Sequence, residues 1–185
     1  VGVEFRLEGM FSGNGEPTSA TDFPQAVELA GMVLSEAGLG AVVKLRLITN
    51  GSLLGRSSVQ EGLRRLGELG GEVWFKVDAG TAENFRRINN VDLSPDSVVR
   101  NLLRGTTLCP TWVQTCVFAL DGGGATDEDV SAYLDVLKRV GFERLAGVYP
   151  YGLSRPSMQP EAGRLTRLPE GRMAEIADRL SAAGL

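Results

Sequence analysis

The chain has 185 residues, 43% hydrophobic and 23% charged, with a net charge of −4, which fits one globular domain with a sizeable core and gives no nucleic-acid footprint. No apolar run is long enough to cross a bilayer, and residues 1–6 carry neither the basic flank nor the apolar stretch of a signal peptide, so the chain reads as soluble and cytoplasmic, trimmed ahead of a Val rather than starting at Met. Two cysteines, Cys109 and Cys116, and no histidine suit a reducing compartment and exclude a Ser-His-Asp triad, a Cys-His pair and a His-ligated zinc.

Strand and helix patterns alternate along the chain. Residues 7–12 form a short apolar run, and Phe23, Ala26, Val27, Ala30, Val33, Leu34 and Ala37 then recur at helical spacing. Residues 42–48 read as a strand ending in Thr49-Asn50-Gly51. A helix over 58–69 follows, with Ser58 and Glu61 spaced as a capping box. Residues 72–77 give a third strand ending in Asp78-Ala79-Gly80, and 81–88 one or two helical turns. Ser94-Pro95 starts a helix that runs to about Arg104 and closes at Gly105. Residues 111–120 are the fourth strand, rich in Val, Thr and aromatics. Val130, Tyr133, Leu134, Leu137 and Val140 mark an amphipathic helix, 144–149 the fifth strand, 155–168 a surface loop and 170–180 the last helix.

Strands alternating with helices imply a parallel sheet with right-handed crossovers, in a single α/β domain over residues 1–185. Ligands of such folds lie at the carboxyl ends of the strands. Every strand end here is polar or Gly-rich: Gly13-Asn14-Gly15-Glu16, Thr49-Asn50-Gly51, Lys76-Val77-Asp78, Asp121-Gly122-Gly123-Gly124 and Tyr149-Pro150-Tyr151-Gly152. Each alone is a turn; five on one rim make a candidate site. The segment from Gly13 to Thr18 lets backbone approach a ligand closely, with Glu16 held by the rigid Pro17, and it reads equally as a plain turn into a helix near Asp22. Lys76 and Asp78 point the same way from one strand, as ligand contacts or as a mutual ion pair. The pairs Arg64-Arg65 and Arg86-Arg87 are solvated helix faces, with phosphate contact the rarer alternative. Cys109 and Cys116 are core or surface thiols.

Several of these segments together resemble the core of the radical S-adenosylmethionine (radical SAM) enzymes. Ser12-Gly13-Asn14-Gly15-Glu16-Pro17-Thr18 is similar to that family's GGEP-type motif, and Ile48-Thr49-Asn50-Gly51 to its TNG segment. Phe75-Lys76-Val77-Asp78-Ala79, followed by Phe85-Arg86-Arg87-Ile88-Asn89, resembles its K-x-D-A…F-x-x-I-N stretch. The fourth strand with Gln114 and residues 149–156 follow in the family's order, so the similarity spans nearly the whole chain. It implies a partial (βα)6-type barrel of parallel strands, truncated at the N-terminus with its first strand missing, that binds SAM and a 4Fe–4S cluster. It further implies an enzyme that draws on an electron donor such as flavodoxin or ferredoxin and cleaves SAM reductively to a 5′-deoxyadenosyl radical. In the family, the GGEP-type backbone holds the SAM amino group, here Gly13, Asn14, Gly15 and Glu16. Polar strand ends contact its carboxylate and ribose, here Asn50, Lys76 and Asp78, with Gln114 on the fourth strand. The adenine rests near Tyr149 and Tyr151.

The departure from the family is the CxxxCxxC cluster motif, which this chain does not contain. The resemblance puts those three ligands in a loop upstream of Val1, so the chain by itself is expected to be inactive. A cluster-less relative serving as a binding or scaffold module is the alternative. An aldolase-like or phosphate-binding barrel with Lys76 forming a Schiff base is a further one. The sequence does not name a substrate.

Overall fold

The computed structural model describes residues 7–12, 15–153, 157 and 160–185. In chain order its elements are β1 (Leu7–Phe11), α1 (Phe23–Glu36), β2 (Val43–Thr49), α2 (Ser57–Glu68), β3 (Glu72–Lys76), α3 (Ala82–Asn89), α4 (Pro95–Leu108), β4 (Thr111–Cys116), a two-residue β5 (Ala119–Leu120), α5 (Asp127–Val140), β6 (Gly147–Tyr151), a two-residue β7 (Leu165–Thr166) and α6 (Glu170–Ala182). The five longer strands form one parallel sheet in the order β1-β2-β3-β4-β6, as the strand–helix alternation requires. By contact the chain parts into two compact units, Val1–Lys76 with Asn101–Trp112, and Val77–Arg100 with Val113–Leu185.

In the first unit, β1 pairs with β2 (Gly9↔Leu45, Phe11↔Leu47) and β2 with β3 (Leu47↔Val73, Thr49↔Phe75), all parallel. Alternation along β2 buries Leu45, Leu47 and Thr49 and leaves Lys44, Arg46 and Ile48 to the other face. Phe23 and Val27 of α1, Val59, Leu63 and Leu66 of α2, Val73 and Phe75 of β3, Leu102 of α4 and Leu54 before α2 are buried with them.

The local starts and stops differ from expectation in instructive ways. The Ser58–Glu61 capping box is not formed: α2 begins one residue earlier, with Arg56 at the N-cap and no side-chain cap bond. Gly105 does not close α4, which continues to Leu108. A Cβ on Gly105 would lie 3.4 Å from Leu54 Cδ2, so the residue is an inward contact point of a packed helix, and packing overrides its weak helix propensity. Conversely α5 has a full capping box, Thr126 with Asp129, whose T-x-x-D spacing was readable in the sequence. Thr81 caps α3 by accepting from Asn84 N at 3.1 Å, and Asn90 closes it in the left-handed conformation at φ 55°.

In the second unit the expected fourth strand stops at Cys116, and its apolar continuation becomes β5. β5 pairs antiparallel with β7 (Ala119↔Thr166, Leu120↔Leu165). The described part of 155–168 is therefore structured rather than a plain loop: a 3₁₀ turn at Pro160–Arg164 leads into β7, and Arg164 forks onto Asp121 at 2.8 and 2.6 Å. The fifth long strand lies at Gly147–Tyr151, because a 3₁₀ turn takes Phe142–Arg144.

Candidate functional site

In the first unit two distant turns are tied together by one carboxylate. Glu16 is the N-cap of the 3₁₀ turn Pro17–Ser19, in extended backbone before Pro17, and its side chain reaches β2. Its Oε1 accepts from Thr18 N at 3.2 Å, from the Thr18 hydroxyl at 2.6 Å and from the Thr49 hydroxyl at 2.6 Å. Its Oε2 accepts from Asn50 N at 2.8 Å. Thr18 and Thr49 are both fully buried, so Glu16 supplies the acceptor their hydroxyls need. The turn after β2 is then fixed from within: Gly51 N donates to Thr49 Oγ1 at 3.0 Å and Ser52 N to Asn50 Oδ1 at 2.9 Å. Gly51 has φ +70°, and a Cβ there would overlap the Phe75 ring at 1.9 Å, so no other residue fits.

This clasp leaves a defined set of groups at the end of β2 and β3. Asn50 and Gly15 are exposed. The β2–β3 register carries Asn50 level with Lys76, the last residue of β3, which is exposed and makes no hydrogen bond or ion pair among the described residues. Among the described residues Glu16 Oε2 has one donor, and a carboxylate oxygen has room for another. The rim of this unit therefore offers a free ammonium, an exposed carboxamide and part of a carboxylate, a set suited to the amino and carboxylate ends of an amino acid. Of the candidates named from the sequence, Gly13 and Asn14 lie outside the described residues.

One face of the same strands carries a second network that the sequence reading passed over. Glu72 is 5% exposed. Its Oε1 accepts from Arg46 Nε and, at 2.9 Å, from Trp74 Nε1, and its Oε2 accepts from Lys44 Nζ at 3.3 Å. The Arg46 guanidinium lies 4.8 Å from the centre of the Trp74 ring. Burial opposes ionisation of Glu72, but the Trp74 and Arg46 bonds, the Arg46 charge and the Lys44 bond outweigh it and hold the carboxyl below its ordinary value. The two-residue spacing of Lys44 with Arg46, and of Glu72 with Trp74, was the available signal. Cys109 is buried in this unit, and desolvation together with the Glu72 charge pushes its thiol up to about 12.

In the second unit Asp78 is committed to its own strand ends. Oδ1 accepts from Cys116 N at 2.8 Å and Oδ2 from Asn89 Nδ2 at 2.8 Å, so both oxygens take neutral donors. Gln114 is half-buried on β4, and its backbone carbonyl accepts from Val77 N at 3.1 Å. Tyr149 and Tyr151 share one face of β6 with ring centres 6.3 Å apart and planes 25° from parallel. Among the described residues no three His, Cys, Asp or Glu side chains converge as a metal site, and no helix is long and apolar enough to cross a membrane.

No family model matches the chain, and no curated protein matches it in sequence. Among solved structures it is similar to a domain of pyruvate-formate lyase-activating enzyme from Bacteroides vulgatus, with a TM-score of 0.58 and 12% identity, over 97% of this chain and 96% of that chain. At that identity the likeness is one of fold: the two chains share an α/β architecture built on a parallel sheet.

Proposed function

We propose that the chain is the SAM-binding part of a radical SAM enzyme, and that the rim of its first unit holds the amino-acid end of SAM. The observation that carries this reading is the Glu16 clasp. Two segments that resemble separate family motifs, 33 positions apart, meet through a single side chain at the end of the sheet. The likeness in fold to a domain of an activating enzyme supports the same reading.

The residues present fit that end of SAM. Lys76 pairs with the carboxylate, Asn50 adds an amide donor, and the open side of Glu16 Oε2 accepts from the ammonium. Glu16 is chiefly a positioning residue, since three of its four hydrogen bonds serve Thr18 and Thr49. When bound, SAM supplies a radical for hydrogen abstraction after one-electron reduction through a 4Fe–4S cluster. The two cysteines of this chain do not form a ligand set for such a cluster, so its ligands and the electron donor, a flavodoxin or ferredoxin, come from outside these residues.

Calorimetry of the 185-residue chain with SAM tests this. Binding is expected in the range of about 0.1–5 mM without the cluster, weakened at least about fivefold by Asn50→Ala and by Lys76→Met and untouched by Leu39→Ala. Absence of binding, or equal binding by the two rim variants, overturns the assignment.

A further inference from the structure

A cavity of about 60 Å³ lies inside the second unit, lined by the loops after β3 and β4 and by α3, α5 and α6. That is room for about four to six waters. Much of its lining is apolar, with Phe118, Val130, Tyr133, Ile176 and Leu180 among it. The back wall is tight: a Cβ on Gly80 would lie 2.2 Å from Tyr133 N, so the loop after β3 rests directly on the backbone of α5. The Thr115 and Tyr133 hydroxyls share one hydrogen bond at 2.6 Å, so neither oxygen is without a partner.

Three charged residues line the cavity, Asp78, Arg87 and Asp129, and among the described residues no ion pair joins them. Asp129 is half-buried there. Its oxygens accept from neutral donors, the Asn84 amide and Thr126 N. Burial opposes its ionisation, yet those bonds and the Arg87 charge hold its carboxyl below the ordinary value. Arg87 also lines the cavity, close enough to act on Asp129 through its charge and beyond ion-pairing distance from it. Among the other arginines of this unit, Arg86 pairs with Asp92, Arg139 with Asp96, Arg164 with Asp121, and Arg172 and Arg179 with Asp127, while Arg100 and Arg167 bond to Ser97 Oγ and the Leu153 carbonyl. Arg87 has no hydrogen bond or ion pair among the described residues.

We propose that this cavity binds an α-amino acid with a compact apolar side chain, held as a zwitterion with its ammonium on Asp129, its carboxylate on Arg87 and its side chain on the apolar lining. Two carboxylates, Asp78 and Asp129, and one cation, Arg87, line the cavity with the apolar side chains; the ammonium on Asp129, the carboxylate on Arg87 and the side chain on the apolar lining match the three parts of such a ligand. A singly charged amphiphile satisfies Asp129 or Arg87 and leaves the other facing it. The four carbons of a leucine side chain suit the room available. The site shares neither Asn50 nor Lys76 with the SAM rim and stands without that reading.

The test is an amide-shift titration of the ¹⁵N-labelled chain with L-leucine, N-acetyl-L-leucine and L-leucinamide. L-leucine is expected to move amides in residues 78–88, 115–120, 129–133 and 176–180, and to bind at least about fivefold tighter than either analogue, each of which lacks one charge. Arg87→Gln, an exposed change that leaves the fold alone, is expected to bring L-leucine down to the affinity of leucinamide. Leu180→Trp is expected to block all three by filling the cavity. Equal affinity for the three compounds, absence of shifts up to about 20 mM, or shifts confined to other residues overturns the proposal.

Discussion

Glu16 accepts the backbone N–H of Asn50 at 2.8 Å, across 34 positions of sequence. Glu16→Ala removes that acceptor and the acceptor of the buried Thr49 hydroxyl together. Leaving a buried donor unmet costs about 1–3 kcal/mol, so a loss of stability of that order is expected by urea denaturation. Faster amide exchange at Asn50 is expected alongside it. Glu16→Gln keeps one acceptor oxygen and is expected to fall between the parent and the alanine variant.

Gly51 and Gly70 both have positive φ, +70° and +72°, but only Gly51 is crowded. Gly70→Ala meets open space and is expected to cost about 1–2 kcal/mol from backbone strain alone. Gly51→Ala adds an overlap with the Phe75 ring, so its loss is expected to exceed that of Gly70→Ala clearly in the same denaturation series. Equal losses would place Phe75 elsewhere.

The network around Glu72 predicts an acid limb in stability. Its carboxyl is held below the ordinary 4.5, so its contribution is complete above that value and is lost as pH falls through the lower folded value. Thermal melts from pH 6 down to pH 3 are expected to show the decline beginning below about 4.5. Glu72→Gln should start less stable at pH 6, because the Arg46 and Lys44 charges lose the Glu72 carboxylate, and should lose less on further acidification.

The two thiols should differ in reactivity. Cys109 is buried with its thiol pushed up to about 12, so almost none of it is thiolate at neutral pH. Cys116 is only half-buried. Alkylation of the native chain at pH 8, followed by peptide mass mapping, is expected to label Cys116 first and Cys109 only on unfolding. The raised value also means that Cys109 opposes folding as pH rises above 9, where an unfolded thiol ionises.

Much of the architecture was legible because hydrophobic period and strand–helix order are local properties. The five strands were found in order, and α3, α5 and α6 lie near their expected positions. Reading β4 on to Leu120 failed because 117–120 is as apolar as a strand, and its actual partner, β7, lies in a stretch whose composition reads as loop. Ending α4 at Gly105 failed because propensity is weak where a helix is packed. At the rim two of the segments named from the sequence meet through Glu16, but their internal bonding was not readable. Nothing in the spacing of Gly15-Glu16-Pro17 says that the Glu16 side chain turns toward Thr49, since that depends on where β2 ends in space. The use of both Asp78 oxygens by Cys116 and Asn89 was hidden for the same reason.

The bond from Asn89 to Asp78 ties the last residue of α3 to the loop after β3. The end of that helix is therefore held in part by one carboxylate oxygen outside it. By linkage, anything that draws the Asp78 carboxylate away from Asn89 loosens the final turn by the same free energy with which the turn opposes it. Solvent exchange at the end of α3 is expected to rise in Asp78→Ala, which removes the acceptor without touching the helix.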